Sequence, residues 1–594
     1  MARTRNTAPM QRLRHLCSSV IAVALPGLLA CSEPPAPAEV PVAGSAELEA
    51  HSAEFRRDII EVVPGIHVAI GYALANVILI EGDDGVIIVD TTESLQAARA
   101  VKAEFDRITD KPVSAIIYTH NHTDHIFGAE AFAEGRDVPV YAHRTTWTHI
   151  ERIMNVLRPV IETRSFHMFG NYLAAGGERI VNDGIGPALA HSTSGEGDIY
   201  GLLPPTHTVD EQLEITIAGR RLVLMHAPGE TDDQLLIWLP EERVLLPGDN
   251  VYKAFPNLYT IRGTRYRDVM QWADSVRLMR SLGAEHLVPS HTRPVSGAAE
   301  IDEILKVYGD AIQFVHDQTV RGMNQGLEAD ALARRVELPA ELAAHPWLQP
   351  FYGTVAWSVR AIYNGYLGWY QGDSSTLFPT PAGTRAQRLL ALAGGASAVL
   401  AEAQAQLSVD PQWAAELADL VLEGSPDSVP VAAELKARAL RMLAVNTPNP
   451  NARNWYLTDA LELEGRITTG PSPISAERVA FAGTFPVAGV LRSMAVNLDP
   501  ERSAGVDERV VFVFPDQDAR YAVHVRHQIA VIEPLEAVPE DESLVVTVAA
   551  TEWLGLLAGQ RSFPVALADG TIKVSGGLAD TARLVRFLAL FRQE

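Results

Sequence analysis

Three histidines and an aspartate are concentrated in one short loop, in the stretch THNHTDHIFG at residues 119–128. The loop follows the apolar run SAIIYT, which predicts a buried strand, so the polar side chains leave the strand end at a fixed position. Residues two apart in an extended segment point the same way, so His120 and His122 can share one ion. Asp124 and His125 can turn towards a second ion. The spacing therefore predicts a metal-binding loop.

Three more potential ligands follow apolar runs elsewhere in the chain. Glu230 comes after RLVLMH, Asp249 after RVLL and His291 after HLVP, each beside a Gly or Pro turn. Taken alone, each is more often a turn carboxylate or a hydrogen-bonded histidine. Together with the first loop they form a set in which every member follows a predicted strand. We therefore expect all seven side chains to converge on one metal centre.

The elements that must position these residues alternate between strand and helix patterns from about residue 66 to 294. Strands are predicted for ANVILIEG, GVIIVDTT, VSAIIYT, VPVYAH, QLEITIAG, RLVLMHAP, DQLLIWLP, RVLLPGD and HLVPSH, and helices for LQAARAVKAEFDRI and DVMQWADSVRLMRSLG. This alternation predicts an α/β core. From about residue 299 the periodicity becomes helical, and from about residue 472 strands such as RVVFVFPD and RYAVHVRHQIAVI return. The aromatic segment WSVRAIYNGYLGWYQG is expected at an interface or in a core.

The composition and the N-terminus indicate the class of protein. A formal charge of −24 argues against nucleic acid or anionic lipid as the main partner. Four arginines precede an apolar stretch that ends in LLAC, a pattern that resembles a bacterial lipobox with Cys31 as the lipidated residue. An ordinary signal peptide is the alternative. We expect an exported lipoprotein that faces the periplasm, with membrane contact through this anchor only and no internal membrane span.

Longer stretches resemble one family. LPGDNVYKAFPNLYTIRG, VPSHTRPVSG, GYLGWYQGDSSTLFPTP and NARNWYLTDALELEG are similar, in this order, to the alkylsulfatase branch of the metallo-β-lactamase superfamily. The resemblance implies a multidomain chain with an αββα sandwich, an all-α dimerisation domain and a C-terminal α+β domain similar to sterol-carrier proteins. The expected boundaries are a signal peptide at 1–30, a tether at 31–50, the catalytic domain at 51–298, the helical domain at 299–468 and the C-terminal domain at 469–594.

The resemblance also assigns roles to the candidate ligands. It implies that His120, His122 and Glu230 hold one Zn²⁺, that Asp124, His125 and His291 hold the other, and that Asp249 bridges them. Asp90, at the end of GVIIVD, would support the metal loop without binding the metal. This chain has Glu230 where many superfamily members have histidine, and Asp249 where the sulfatase branch usually has glutamate.

The substrate-contacting residues are expected in PNLYTIRG. Three carboxylates leave two zinc ions with a small net positive charge, which favours a monoanionic sulfate ester over a dianionic phosphate ester. Asn257 and Arg262 match the branch's sulfate-contacting stretch, with Arg265 and Arg267 as weaker options. His167 lies where the branch often has tyrosine, and would either donate a proton to the leaving oxygen or line the pocket.

The sequence therefore predicts a homodimeric binuclear zinc hydrolase that cleaves alkyl sulfates to alcohol and sulfate by activating water. One alternative keeps the fold and changes the bond to another ester, a lactone or a lactam. A second, of another class, is a lipid-binding lipoprotein whose metal site is structural.

Overall fold

The computed structural model describes residues 45–174, 178–188, 200–472, 475–483, 485–540 and 542–591. The predicted signal peptide and Cys31 lie outside the described residues. Residues 45–50 were predicted as part of the tether, but Ser45–His51 form the first helix, and Leu48 is fully buried beside Met168 and Ile185. Within the described part of the chain, we find no helix with the length and apolar character needed to cross a membrane.

Two β-sheets form the centre of the first half of the chain. The first sheet contains β1 (Asp58–Val63), β2 (Ile66–Ile70), β3 (Val77–Glu81), β4 (Val86–Val89), β5 (Val113–Ile117), β6 (Val140–His143) and β7 (His207–Val209), in that spatial order. The second contains β8 (Gln212–Ile217), β9 (Arg220–His226), β10 (Leu235–Leu239), β11 (Val244–Leu246), β12 (His286–Leu287) and β13 (Val295–Ser296). Strands β4 to β7 run parallel, as do β11 and β12, and the other neighbours are antiparallel.

Helices pack on the outer faces of the two sheets and beside them. In chain order they are α1 (Ser45–His51), α2 (Leu95–Phe105), α3 (Thr123–Ile126), α4 (Ala129–Ala133), α5 (Thr146–Glu151), α6 (Arg158–Met168), α7 (Val269–Ser281), α8 (Ala298–Asn324), α9 (Ala329–Arg335), α10 (Ala340–Ala343) and α11 (Val355–Leu367). Successive side chains of β3 point to opposite faces of its sheet. Ile78 packs against the other sheet, and Leu79 packs against α2 and α4. Strands covered on both faces are buried throughout, which is why β3 and β4 appear as continuous apolar runs.

The outer layer of the second sheet extends past residue 298. Trp272 of α7, Tyr308 of α8 and Ile362 of α11 share one hydrophobic core with Leu236 and Trp238 of β10. Two helices that the sequence pattern groups with the helical domain therefore pack on the sandwich. The result is four layers, helix on sheet on sheet on helix, as predicted.

The rest of the helical region is α12 (Ala382–Leu392), α13 (Ala396–Gln406), α14 (Pro411–Gly424), α15 (Val429–Asn446) and α16 (Pro450–Leu463). Four of these helices, α12 to α15, share a core of their own. Part of the aromatic segment WSVRAIYNGYLGWYQG is buried within α11, and the part after α11 is mostly exposed. Val359 and Ile362 are buried, whereas Trp369 is 69% exposed. Beyond it Phe378 is 96% exposed. Large apolar side chains left in solvent at such fractions mark an association surface.

The C-terminal region is a five-stranded sheet with helices. It contains α17 (Ala476–Ala482), α18 (Val487–Val496), β14 (Glu508–Phe514), β15 (Ala519–Arg526), β16 (Ile529–Pro534), β17 (Val545–Thr547), α19 (Ala550–Leu557), α20 (Phe563–Ala568), β18 (Lys573–Val574) and α21 (Leu578–Ala589). The strand order is β16-β15-β14-β17-β18. The run RYAVHVRHQIAVI is two strands rather than one, because His527 and Gln528 adopt φ of 51° and 63° and turn the chain into a hairpin.

Candidate metal centre

The candidate ligands lie where strands of the two sheets end. His120, His122, Asp124 and His125 follow β5, and the last two lie in the short helix α3. Glu230 follows β9, Asp249 follows β11 and His291 follows β12. The structure thus brings the seven side chains together at one edge of the sandwich, as the sequence led us to expect.

The ligand atoms approach one another closely. His291 Nε2 lies 3.2 Å from Asp249 Oδ1 and 3.5 Å from Asp124 Oδ2. His125 Nε2 lies 3.4 Å from both Asp124 Oδ2 and Asp249 Oδ2, and His120 Nε2 is 3.6 Å from Asp249 Oδ2. Three overlapping groups could each hold an ion, and they are His120, His125 and Asp249; Asp124, His125 and His291; and His122, Glu230 and Asp249. Asp249 belongs to two of the groups, which agrees with a bridging position.

Two buried atoms of this cluster have no hydrogen-bond partner among the described residues, His125 Nε2 and Asp249 Oδ1. Buried polar atoms without partners are rare unless a ligand satisfies them. Burial lowers the pKa of His120 to about 4, so its imidazole is neutral and able to bind a cation at physiological pH. The set of imidazoles and carboxylates fits a divalent metal of the zinc type.

Asp90 holds the metal loop from behind. Its Oδ2 accepts hydrogen bonds from His125 Nδ1 at 2.7 Å, Thr119 Oγ1 at 2.9 Å and Ser290 Oγ at 2.9 Å. The first bond fixes the proton on Nδ1, which leaves Nε2 of His125 free to face the cluster. Asp90 itself adopts a left-handed backbone, with φ of 59°. The supporting position predicted for it is where the structure places it.

Glu230 is held by two residues whose role the sequence did not reveal. Tyr252 Oη donates to its Oε2 at 3.1 Å, and Arg267 Nη1 lies 3.1 Å from its Oε1. Burial raises the pKa of Glu230 to about 7, although the guanidinium of Arg267 opposes this. Arg267 was a weaker option for a substrate donor. Instead it pairs with a candidate metal ligand, inside the protein.

The two preferred substrate contacts differ in their surroundings. Arg262 points into the centre, since its Nη2 lies 3.1 Å from His122 Nε2. Asn257 is fully buried, and neither its amide nitrogen nor its amide oxygen has a hydrogen-bond partner in the described part of the chain. Arg265, by contrast, pairs with Asp232 at 3.0 Å on the surface.

His167 is not brought to the metal centre. Its Nδ1 is bonded to the carbonyl oxygen of Thr163, and its ring lies against Trp455 and faces Asp459 of α16. This placement corrects both expectations for His167, because it neither reaches the centre to donate a proton to the leaving oxygen nor lines the cavity. Its neighbours Ser165 and Phe166 line the cavity described next, and a helix turns successive side chains to different directions.

One cavity of about 470 Å³ joins the centre to the C-terminal region. Its polar end contains His122, Asp124, Asp249 and Arg262. Its apolar walls are lined by Ile153, Met154 and Phe166 from the catalytic region and by Met494, Leu554 and Phe591 from the C-terminal region. A mostly apolar cavity with polar groups at one end is suited to an amphiphile with a polar head and a hydrocarbon tail.

Comparison with known proteins gives matches along most of the chain. Family models match at residues 71–291 (metallo-beta-lactamase superfamily), 328–466 (alkyl sulfatase dimerisation) and 477–594 (alkyl sulfatase C-terminal). A linear primary-alkylsulfatase from a Pseudomonas species is 38% identical over 517 residues, which cover 84% of this chain and 96% of that relative. The chain belongs to the alkylsulfatase family. An alkyl/aryl-sulfatase of this family from Saccharomyces cerevisiae is 28% identical over 90% of this chain and 82% of its own.

A solved structure of the family agrees with the fold. The stereoselective inverting sec-alkylsulfatase Pisa1 from Pseudomonas sp. superposes with a TM-score of 0.81 at 26% identity, over 91% of this chain and 85% of that one. The predicted family and the three-part architecture are thereby confirmed. The likeness of the C-terminal domain to sterol-carrier proteins and the domain boundaries stay predictions.

Proposed function

We propose that this alkylsulfatase-family chain hydrolyses alkyl sulfate esters to an alcohol and inorganic sulfate, using two zinc ions. The observation that carries the proposal is the single cavity that connects the seven-residue cluster and Arg262 to an apolar wall. A sulfate head at the polar end would place the alkyl chain along Phe166, Met494 and Leu554.

The ligand distances support part of the assignment of the metals, since Asp124, His125 and His291 form one compact group and His122, Glu230 and Asp249 form another. The family resemblance would place His120 with His122 and Glu230 at one ion, and Asp124, His125 and His291 at the other, with Asp249 shared between them. When bound, such ions polarise the sulfate oxygens and provide an activated water near neutral pH. The histidine and carboxylate ligands favour zinc among the common divalent metals.

The protein's own groups would position the ester and separate it from bulk water. Arg262 points into the centre, and its planar guanidinium can donate two parallel hydrogen bonds to sulfate oxygens. Asn257 is proposed as a second donor on the family resemblance: its side-chain amide is buried and has no partner among the described residues, although Asn257 does not line the cavity. The apolar walls bury the tail, at about 0.8 kcal/mol per methylene group.

The direct test measures inorganic sulfate released from dodecyl sulfate by the purified chain, with metal content determined on the same sample. We expect release that chelator abolishes and that added zinc restores. Asp249→Ala is expected to lose both metal and activity, whereas Asp84→Asn, at an exposed turn, keeps them. If no chelator-sensitive sulfate release is found and a carboxylic ester, lactone or lactam is hydrolysed in a parallel panel, the substrate belongs to that class instead.

The dimerisation model at residues 328–466 supports a homodimer. We also propose export and lipidation at Cys31, for which the support is the LLAC sequence alone. Mass spectrometry of the N-terminal peptide from membrane-extracted protein tests this. A lipid mass on Cys31 supports the proposal, and an unmodified N-terminus after another cleavage site contradicts it.

A further inference from the structure

A second group of metal-ligand side chains lies away from the candidate centre, where α6 packs against α16. It consists of His167 near the end of α6 and Asp459 and Glu462 on α16. One ligand atom from each lies within 4.8 Å of the other two. Asp459 and Glu462 are three residues apart, so their side chains share one face of the helix.

The hydrogen bond at Nδ1 fixes the tautomer of the His167 ring. Nδ1 lies 2.8 Å from the carbonyl oxygen of Thr163, and a carbonyl can only accept, so Nδ1 carries a proton. In the neutral ring this leaves a lone pair on Nε2. Metal-binding histidines are commonly fixed in this way, with one ring nitrogen bonded to a backbone carbonyl.

Nε2 of His167 lies near a carboxylate, at a distance longer than a hydrogen bond. His167 is 7% exposed, and the structure shows no hydrogen bond to its Nε2 among the described residues. Nε2 lies 3.6 Å from Asp459 Oδ1, which is too long for a hydrogen bond. Two ligand atoms held about 2.1 Å from one ion at a tetrahedral angle are about 3.4 Å apart. The candidate metal centre has the same spacing, with His–Asp separations of 3.2 and 3.6 Å.

The charges around the group favour a cation. Asp419 lies near Asp459 and pairs with Lys436 at 2.6 Å, so this lysine already has a partner. Burial raises the pKa of Asp459, and nearby carboxylates raise it further, although His167 and Lys436 oppose this. Thr469 Oγ1 donates to Glu462 Oε1 at 2.7 Å and orients that carboxylate.

We propose that His167 Nε2, Asp459 and Glu462 bind one further divalent ion of the zinc type, separate from the catalytic pair. One imidazole and two carboxylates form a ligand set that zinc accepts, with water completing the shell. The ion joins α6, which contributes Ser165 and Phe166 to the cavity wall, to α16, which lies within the residues matched by the dimerisation model. Its role is to fix that wall of the cavity against the helical region.

The experiment compares metal content per chain in the full-length protein, loaded with zinc and then freed of loosely bound metal. The variants are His167→Gln and Glu462→Gln, each of which removes one ligand. Glu464→Gln is the matched control, since Glu464 follows the same helix but pairs with Arg441 Nη2 at 2.9 Å. We expect each ligand variant to hold one equivalent of zinc less than wild type and the control to hold the same amount. All variants keep the proposed catalytic pair of ions, so that pair does not change the difference in zinc content.

Thermal unfolding with and without added zinc gives a second measurement. After zinc has been removed with a chelator, added zinc should raise the melting temperature of wild type and of the Glu464→Gln control, and should raise that of the two ligand variants less. Equal zinc content in all four proteins, with equal thermal responses, would show that His167 only packs beside Asp459, and would overturn the proposal. Circular dichroism of each variant confirms that the chain is folded.

Discussion

The carboxylate of Asp90 holds the ring of His125 from the side opposite the cluster, with Oδ2 2.7 Å from Nδ1. The other ring nitrogen, Nε2, is thereby directed at Asp124 and Asp249. Orientation of the whole metal loop depends on this contact, because the same carboxylate also binds both the backbone and the hydroxyl of Thr119.

Replacing Asp90 should therefore weaken metal binding without removing a ligand. We expect Asp90→Asn to reduce metal affinity about 10- to 100-fold, since an amide cannot accept all four hydrogen bonds. Competition with a chelator, followed by metal analysis, measures the change. Asp84→Asn, a few residues away on the surface, is the control, and equal affinities in the two variants would contradict a supporting role for Asp90.

Arg262 should contribute to turnover through the shape of its guanidinium as well as its charge. Arg262→Lys keeps the charge but cannot make two parallel bonds, so we expect kcat/KM for an alkyl sulfate to fall roughly 100-fold at unchanged metal content. Arg265→Lys, which alters a surface pair with Asp232, should retain activity. If both variants keep wild-type rates, Arg262 does not contact the sulfate.

The far wall of the cavity should set the preferred chain length. Leu554→Trp fills space at the C-terminal end, so longer alkyl sulfates should lose binding energy while short ones do not, at about 0.8 kcal/mol per excluded methylene. KM values across a series of linear alkyl sulfates measure this. Leu578→Trp serves as the control because Leu578 is 91% exposed and outside the cavity. An identical KM series for the two variants would place the tail elsewhere.

His143 should make the fold sensitive to acid. Burial, together with its stacked neighbour His226 at 4.1 Å, lowers the pKa of His143 to about 4, against about 6.5 in an unfolded chain. The folded state then excludes a proton that the unfolded state binds, so this contribution to stability is present above pH 6.5 and is lost as the pH falls towards 4.

We expect the melting temperature of His143→Gln to depend less on pH between 6.5 and 4 than that of wild type. His286→Gln, a partly exposed histidine bonded to Ser296, provides the comparison. If the melting temperature of His143→Gln depends on pH as strongly as that of wild type, His143 is not the source of the acid sensitivity.

The position of the site was predictable because its residues follow strands. His120, Glu230 and Asp249 each come after an apolar run, and strand ends of packed sheets meet at an edge. The contacts of Arg267 and His167 were not predictable, since local sequence does not state which way a side chain turns from a loop or a helix. Arg267 turns towards Glu230, and His167 turns away from the metal centre towards α16.

The fold was likewise predictable only in part. Hydrophobic periodicity located most strands of the sandwich and the helices α2 and α7, but it placed the start of the helical domain near residue 299, whereas α8 and α11 continue the same layer as α7. The hairpin at His527 and Gln528 was missed because two non-glycine residues adopt positive φ there, and the sequence lacks the Asn-Gly or Asp-Gly signal of such turns.

The cavity between the metal centre and the C-terminal region has room for one hydrocarbon tail and is walled on several sides. A surfactant bound there has left its aggregate, so the enzyme would act on dispersed molecules rather than on micelles. Its rate with a detergent-like sulfate should then level off at the concentration where micelles begin to form, whatever the intrinsic affinity of the site.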